Sequence, residues 1–335
     1  MVPAASPTTH PKEPLVNESS VTLREVAELA NRISAEMARV IEGKPQQIRT
    51  AVTVLLAGGH LLIEDVPGVG KTVLAKSLGR AIHGDVKRIQ FTPDLLPSDV
   101  TGVSVFNQST REFEFKPGGI FAHIVLGDEI NRASPKTQSA LLESMAEGQV
   151  SADGKTYALS KPFMVIATQN PIEMEGTYPL PEAQRDRFMA RITMGYPART
   201  SEIAMLTHHA GGDQLDTVTP VTDALAVAAA VEAIRAVYVA PVINDYIVTI
   251  VDKTRTHDDL RLGASPRASL HLMRAARVQA ALAGRDYVIP EDVSALAVEV
   301  LAHRVLTTVE AQVARRDPDD IVRSIVASVP TPARA

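Results

Sequence analysis

The chain has 335 residues, 45% of them hydrophobic, with 34 basic against 39 acidic side chains and a formal net charge of −5. That length and apolar share fit one large or two ordinary domains around a substantial core, and the acidic balance argues against a general nucleic-acid-binding surface. No cysteine is present, which removes disulfides, thiolate metal sites and thiol nucleophiles. No apolar run approaches the roughly twenty residues that span a bilayer, and no signal-peptide core follows the start, so a cytoplasmic protein without direct membrane insertion is expected.

Residues 1–18 are rich in Pro, Thr, Ser and charge without periodicity, the composition of a disordered tail. From Val21 to Ile41, the residues Leu23, Val26, Leu29, Ile33, Met37, Val40 and Ile41 recur at three- and four-residue steps, which predicts an amphipathic helix. Gly43 and Pro45 end it, and Gln46 to Leu56 reads as a second helix. Leu61-Leu62-Ile63-Glu64-Asp65-Val66 is a buried strand feeding the turn Pro67-Gly68-Val69-Gly70, after which Lys71-Thr72-Val73 opens a helix with Leu74, Ala75, Leu78, Ala81 and Ile82 on its apolar face. Strand, glycine turn and helix N-terminus together make a phosphate cradle. The glycines let backbone N–H groups approach a polyphosphate, Lys71 reaches its β/γ oxygens, and the Thr72 hydroxyl ligates Mg2+. The leading glycine of the usual loop pattern is Asp65 here, a residue type that tolerates left-handed turns.

Gln90 to Gly102 opens an insertion, and alternation at Val103-Val105 and Phe113-Phe115 around Asn107-Gln108-Ser109-Thr110 predicts a β-hairpin. His123-Ile124-Val125-Leu126-Gly127 is an apolar run ending in Asp128-Glu129, as expected of a strand covered on both faces with carboxylates at its ligand-binding end. In a triphosphatase the aspartate supports Mg2+, often through water, and the glutamate polarises the attacking water. A second hairpin is signalled by Gln149-Val150-Ser151, the Asp153-Gly154 turn and Thr156-Tyr157-Ala158. Phe163 to Thr168 is a third core strand running into Gln169-Asn170-Pro171, where the Asn170 amide is placed to orient water. Leu180 to Phe188 sets Arg185 and Arg187 around Asp186 before a fourth strand, Ala190 to Met194. An arginine reaching a neighbour's γ-phosphate contributes about 10³–10⁵ in turnover in enzymes of this class.

Past Pro197 the pattern turns helical: Ser201 to His209, Thr222 to Tyr238, Val242 to Thr254, Pro266 to Leu282 and Pro290 to Leu306, with Pro266 and Pro290 at first-turn positions. His208-His209 diverge on a helix and have no carboxylate or thiol partner at ligand spacing, which argues against a metal there. Ile321, Val322, Ile325 and Val326 in the last stretch suit a final helix or a subunit contact. The resulting fold class is α/β: a P-loop αβα sandwich with a parallel sheet over residues 19–197, a small all-helical bundle over 198–320, and a tail over 321–335.

The phosphate loop, Gly127 to Ala133, Ala167 to Pro171, Leu180 to Gln184 with Asp186-Arg187-Phe188, Gly263 to Ser269 and Gly284 to Val293 together resemble the MoxR family of AAA+ ATPases, of the helix-2-insert type, over residues 20–310. The resemblance implies ATP and Mg2+ as cofactors, with Lys71 and Thr72 in the Walker A site and Asp128 and Glu129 in the Walker B site. It implies Asn170 as sensor 1, Arg187 rather than Arg185 as an arginine finger acting across a subunit boundary, and Arg267 as sensor 2 from the lid. Val40, Ile41 and Gly43 match the segment that contacts adenine, a role compatible with plain core packing. The resemblance also implies a homo-oligomeric ring of six subunits, hairpins that move with nucleotide state, and a chaperone-like action on a client together with a von Willebrand factor A-domain protein. Two alternatives stand beside it: a nucleotide-binding switch with little turnover and a metal-chelatase-type motor subunit. Glu129, Asn170 and Arg187 favour hydrolysis over a switch, because a mere binder needs only the phosphate loop. A DNA-dependent motor lacks the basic, aromatic-interleaved stripe it requires.

Overall fold

The strands in chain order are β1 (Leu61–Glu64), β2 (Val86–Gln90), β3 (Gly102–Asn107), β4 (Glu112–Pro117), β5 (Ile124–Asp128), β6 (Gln149–Ala152), β7 (Lys155–Ala158), β8 (Met164–Gln169) and β9 (Ala190–Ile192). A computed structural model describes residues 21–171, 177–203 and 214–332 of the protein. Five of the strands form one sheet in the order β2-β5-β8-β1-β9, every neighbouring pair parallel. The central strands are buried on both faces, which explains why they read as unbroken apolar runs rather than as an alternation. Period-2 geometry still sorts their side chains. Leu61, Ile63, Ile124, Leu126, Met164 and Ile166 join one core cluster, while Leu62, Val125, Val165 and Ala167 join the other.

The first cluster is covered by α1 (Leu23–Ala38), α2 (Pro45–Leu56) and α3 (Lys71–Ala81), and it continues into the helical C-terminal part. Helix α1 begins at Thr22, whose side chain caps the Glu25 amide while the Glu25 carboxylate takes the Thr22 amide at 2.8 Å. The only glycine inside α3, Gly79, sits where the helix presses on the sheet; a Cβ there would stand 2.0 Å from Val86 Cγ2. On the other face lie α4 (Pro97–Thr101) and α5 (Pro135–Glu147), with Leu141, Leu142 and Met145 buried against the strands.

Both predicted hairpins form. β3 pairs with β4 and β6 with β7, and the second closes through Asp153 and Gly154, both at positive φ as a two-residue hairpin turn requires. Phe115 of the first stacks on Tyr157 of the second at 4.0 Å, so the two hairpins lean on each other.

The C-terminal part differs from expectation in one stretch. The stretch Pro290 to Leu306 is not one helix: Pro290–Ser294 and Ala297–Leu301 are separate helices, followed by a 3-10 turn and the strand Leu306–Thr307, which pairs with Leu260–Leu262. Its apolar positions Val293, Leu296, Ala297, Val300 and Leu301 are all buried nonetheless, so tertiary packing keeps the apolar pattern while breaking the helix. The final helix expected around Ile321, Val322, Ile325 and Val326 forms as Pro318–Ser328, with Ile321, Val322 and Ile325 buried, so the boundary placed at residue 321 falls inside it. Residues 199–203 are helical, and the rest of the expected Ser201–His209 helix, with His208-His209, lies outside the described residues. The helices Ala224–Arg235, Pro241–Thr256 and Pro266–Leu282 match expectation closely. Among the described residues no helix is long and apolar enough to cross a membrane.

Candidate nucleotide site

Because all five strands run parallel, their C-terminal ends open on one side of the sheet, where ligands bind in such folds. β1 delivers the phosphate loop there, β5 delivers Asp128 and Glu129, and β8, lying between them, delivers Gln169 and Asn170. These elements enclose a trough of about 420 Å³ lined by Pro67, Gly68, Gly70, Lys71, Thr72, Val73, Asp128, Glu129 and Asn170, together with Arg88 and Gln90 from β2. A second pocket of about 270 Å³ adjoins it, sharing Gly68, Gly70 and Val73, and is lined by Val40, Ile41, Val69, Met194, Gly195 and Leu215 among others. The first is lined by most of the site's charged and amide side chains and the second is largely apolar, the division a nucleotide makes between its phosphates and its base. Gly43 lies just behind the second pocket, where a Cβ would stand 2.8 Å from the hydroxyl of Ser201, a residue of the pocket wall.

Gly68 and Gly70 carry φ of +84° and +92°, with no atom within 4 Å of the positions their Cβ atoms would occupy. Left-handed backbone is accessible to glycine at no steric cost, and the open space lets a ligand approach the chain. Gly70 is the N-cap of α3, so the first amides of that helix face the trough. Lys71 Nζ donates to the Asp65 carbonyl at 2.7 Å. Burial pushes the Lys71 ammonium pKa down, and the carboxylates of Asp128, Asp65 and Glu129 act against that shift.

Asp65 does something the sequence did not disclose. It is absent from the residues at positive φ, so its place in the loop owes nothing to left-handed tolerance. Its carboxylate instead accepts the Val66 amide at 2.8 Å and the Gly195 amide at 2.6 Å, tying the phosphate loop to the segment leaving β9.

The two carboxylates after β5 are both held. Asp128 Oδ1 accepts the Thr168 hydroxyl at 2.6 Å, and Oδ2 accepts Arg88 at 2.6 Å. Glu129 sits at φ +56°, a strained conformation for this residue type. Its amide donates to Thr168 Oγ1 at 2.9 Å, while its Oε2 accepts Gln90 Nε2 at 2.9 Å and lies 3.0 Å from Arg132 Nε. The strained backbone turns the Glu129 side chain toward the trough. Thr72 and Asp128 supply hard oxygen donors with one negative charge, the donor set suited to Mg2+ that keeps water and phosphate oxygens as its other ligands. Among the described residues no cluster of three or more His, Cys, Asp or Glu side chains can hold a metal by itself.

Arg187 and Arg267 lie away from the trough. Arg187 donates to the Leu142 carbonyl on α5, and the Arg185 Nε is buried with no hydrogen-bond partner. Arg267, expected to reach the γ-phosphate, stands 3.6 Å from Asp186 instead. Asp186 is a junction between the two parts of the chain. It accepts the Ser265 hydroxyl at 2.8 and 2.9 Å and Arg304 Nη1 at 2.6 Å. The fully buried Arg304 guanidinium also donates to the Phe188 carbonyl and to His271 Nδ1. Burial first and the neighbouring Arg304 charge next push the His271 pKa down to about 2, so that ring is neutral and accepts.

The comparisons with known proteins agree with this architecture. The sequence model of the "ATPase family associated with various cellular activities (AAA)" matches residues 60–190, and that of the AAA lid domain matches residues 252–325. The chain is 50% identical over 299 residues to the Bacillus subtilis protein YeaC, itself uncharacterized, covering 88% of this chain and 92% of that one. It is 41% identical over 308 residues to "Chaperone MoxR1" of Mycobacterium tuberculosis, covering 89% and 81% of the two chains. It is 32% identical over 334 residues to "Protein MoxR" of Methylorubrum extorquens, covering 90% and 95%. A crystal structure of a Cytophaga hutchinsonii protein described as a candidate ATPase superposes with a TM-score of 0.86 at 36% identity, covering 93% of this chain and 97% of that one. With a parallel P-loop sheet, a helical lid and relatives of that name matched along most of its length, the chain belongs to the MoxR family of AAA+ ATPases.

Proposed function

We propose that this protein hydrolyses ATP with Mg2+ in a head-to-tail ring and uses the cycle to remodel or activate a partner protein. The observation that carries this reading is the convergence of Lys71, Thr72, Asp128, Glu129 and Asn170 on one trough that opens into an apolar pocket of base size. On nucleotide entry Lys71 exchanges the Asp65 carbonyl for phosphate oxygens, and the Gly68–Gly70 amides with the α3 N-terminus hold the polyphosphate. A divalent ion held by Thr72 and Asp128 supplies charge neutralisation of the phosphates. Glu129, freed from Gln90 and Arg132, takes a proton from water aligned with the γ-phosphate, and Asn170 fixes that water by hydrogen bonding.

Arg187 completes a neighbouring subunit's site, and Arg267 leaves Asp186 to meet the nucleotide of its own. The ring, of six subunits by family resemblance, follows if the heterologous contact closes. The client and a von Willebrand factor A-domain partner rest on that resemblance as well, as does a cytoplasmic location. The second reading, a switch with little turnover, is favoured by the Gln90 and Arg132 contacts that hold the Glu129 carboxylate.

A mixing experiment tests the proposal. Glu129→Gln and Arg187→Ala proteins, each nearly inactive alone, regain ATPase activity when combined, because mixed contacts pair an intact base with an intact finger. A mixture as inactive as its parts rules out the trans arrangement. Turnover by the unmutated protein at the level of buffer rules out hydrolysis altogether.

A further inference from the structure

The trough contains a cation that no sequence motif announced. Arg88 lies in the middle of β2, the edge strand beside β5, and with Gln90 two residues on shares the face turned toward the site. Its guanidinium straddles one carboxylate oxygen: Nε is 3.2 Å and Nη2 2.6 Å from Asp128 Oδ2, and Nη2 also donates to Gln90 Oε1 at 2.7 Å. The other oxygen of Asp128 is taken by the Thr168 hydroxyl. Lys71, the other strong cation of the trough, donates instead to the Asp65 backbone carbonyl. Arg88 is therefore the hydrogen-bonded counter-charge of Asp128, on the carboxylate oxygen that Thr168 leaves open.

We propose that Arg88 is the resident counter-ion of Asp128 and competes with the divalent metal for its Oδ2. This inference rests on the reading of Thr72 and Asp128 as metal ligands and goes beyond it. A guanidinium and a divalent ion cannot both lie against one carboxylate oxygen without strong repulsion at short range. Metal entry must therefore displace Arg88. The displaced side chain, half-exposed and on a flexible stem, has a new partner only when polyphosphate is present, since guanidinium forks match phosphate oxygens well. The consequence is ordered loading: the nucleotide-free protein holds divalent metal weakly, and metal is retained when it arrives with a phosphate tail that gives Arg88 somewhere to go. The pairing also keeps Asp128 from being an uncompensated charge between turnovers.

The test uses the full chain and Mn2+ as a paramagnetic probe, with free and bound Mn2+ read by electron paramagnetic resonance. Wild type, Arg88→Gln, Arg88→Lys and Asp128→Asn are each titrated without nucleotide and with saturating ADP. Removing the competing charge is expected to tighten nucleotide-free Mn2+ binding about tenfold or more in Arg88→Gln. Arg88→Lys, which keeps the charge without the fork, stays near wild type and controls for any loss of folding around β2. Asp128→Asn loses the site in both conditions. Equal or weaker Mn2+ affinity in Arg88→Gln, at a site still abolished by Asp128→Asn, would overturn the competition alone. Mn2+ binding that Asp128→Asn leaves unchanged with ADP bound would overturn the metal reading, and the competition with it.

Discussion

Replacing Asp186 by alanine strips the one carboxylate from the guanidinium of Arg304, whose side chain is 1% exposed. The other acceptors of Arg304 among the described residues are the Phe188 and Met189 backbone carbonyls and a neutral histidine ring, none of which carries charge. Breaking a buried ion pair from one side costs about 3–5 kcal/mol because the remaining charge stays desolvated. Asp186 is itself 16% exposed, so water reaches the vacated space and the lower end, about 3 kcal/mol, is expected. Asp186→Asn keeps an acceptor of the same shape and loses less, about 1.5–3 kcal/mol for a hydrogen bond to a charged group. In an Arg304→Met background, Asp186→Ala costs little, so the double-mutant cycle reports a coupling of about 2–3 kcal/mol. Urea unfolding followed by circular dichroism measures the set. Hydrogen exchange in the helix Ala297–Leu301, just before Arg304, locates the loss. A single-variant cost below about 1 kcal/mol, or a cycle that sums to zero, would refute the assignment of Asp186 as the counter-charge that docks the lid. Because Asp186 lies between Arg185 and Arg187, the same variant should also loosen the segment that presents the finger.

Further outcomes follow from the site and the core. Lys71→Ala weakens ATP binding itself, by about tenfold or more, since the lysine contacts phosphate in the ground state as well as during reaction; fluorescent-nucleotide titration showing unchanged affinity would contradict it. Specific ATPase activity rises with protein concentration if Arg187 serves a neighbour, and a flat profile across dilution in protein shown to be monomeric would exclude that. His60 and His303 are buried and His271 half-buried, all three neutral, with the His60 pKa pushed down to about 4 by burial and that of His303 well below its ordinary value. Their folded pKa values lie below the unfolded value of about 6.5, so only the unfolded chain takes up these protons, and stability falls as pH drops from about 6.5 toward 4. Denaturation midpoints that do not change over that interval would contradict the burial of neutral rings.

Much of the nucleotide-binding core was legible because its signals are local. Gly68, Gly70 and the apolar runs of β1, β5 and β8 lie within short windows, and backbone geometry dictates what such windows become. Val40 and Ile41 line the apolar pocket beside the phosphate loop, with Gly43 just behind its wall. The contacts that escaped sequence reasoning join residues far apart in the chain. Asp65 meets Gly195, Arg88 meets Asp128 and Asp186 meets Arg304, and no periodicity records such pairs. The break after Ser294 was also invisible. No glycine or proline marks it, and the helix gives way to the pairing of Leu306–Thr307 with Leu260–Leu262, which only tertiary structure brings together. The family resemblance implied Arg267 as sensor 2. The Arg267 guanidinium stands 3.6 Å from the Asp186 carboxylate, a long-range contact that no local pattern records.

The central claim is that Glu129 is the base of a hydrolytic site whose binding function rests on other residues. It is tested most directly by comparing single-turnover ATP cleavage and ATP affinity in wild type and Glu129→Gln. The amide keeps the size and the contact with Gln90 but cannot accept the water's proton, so cleavage should fall by about 10²–10⁴ while affinity changes less than about threefold. Cleavage at a near-normal rate in the purified variant, with binding intact, would contradict the claim.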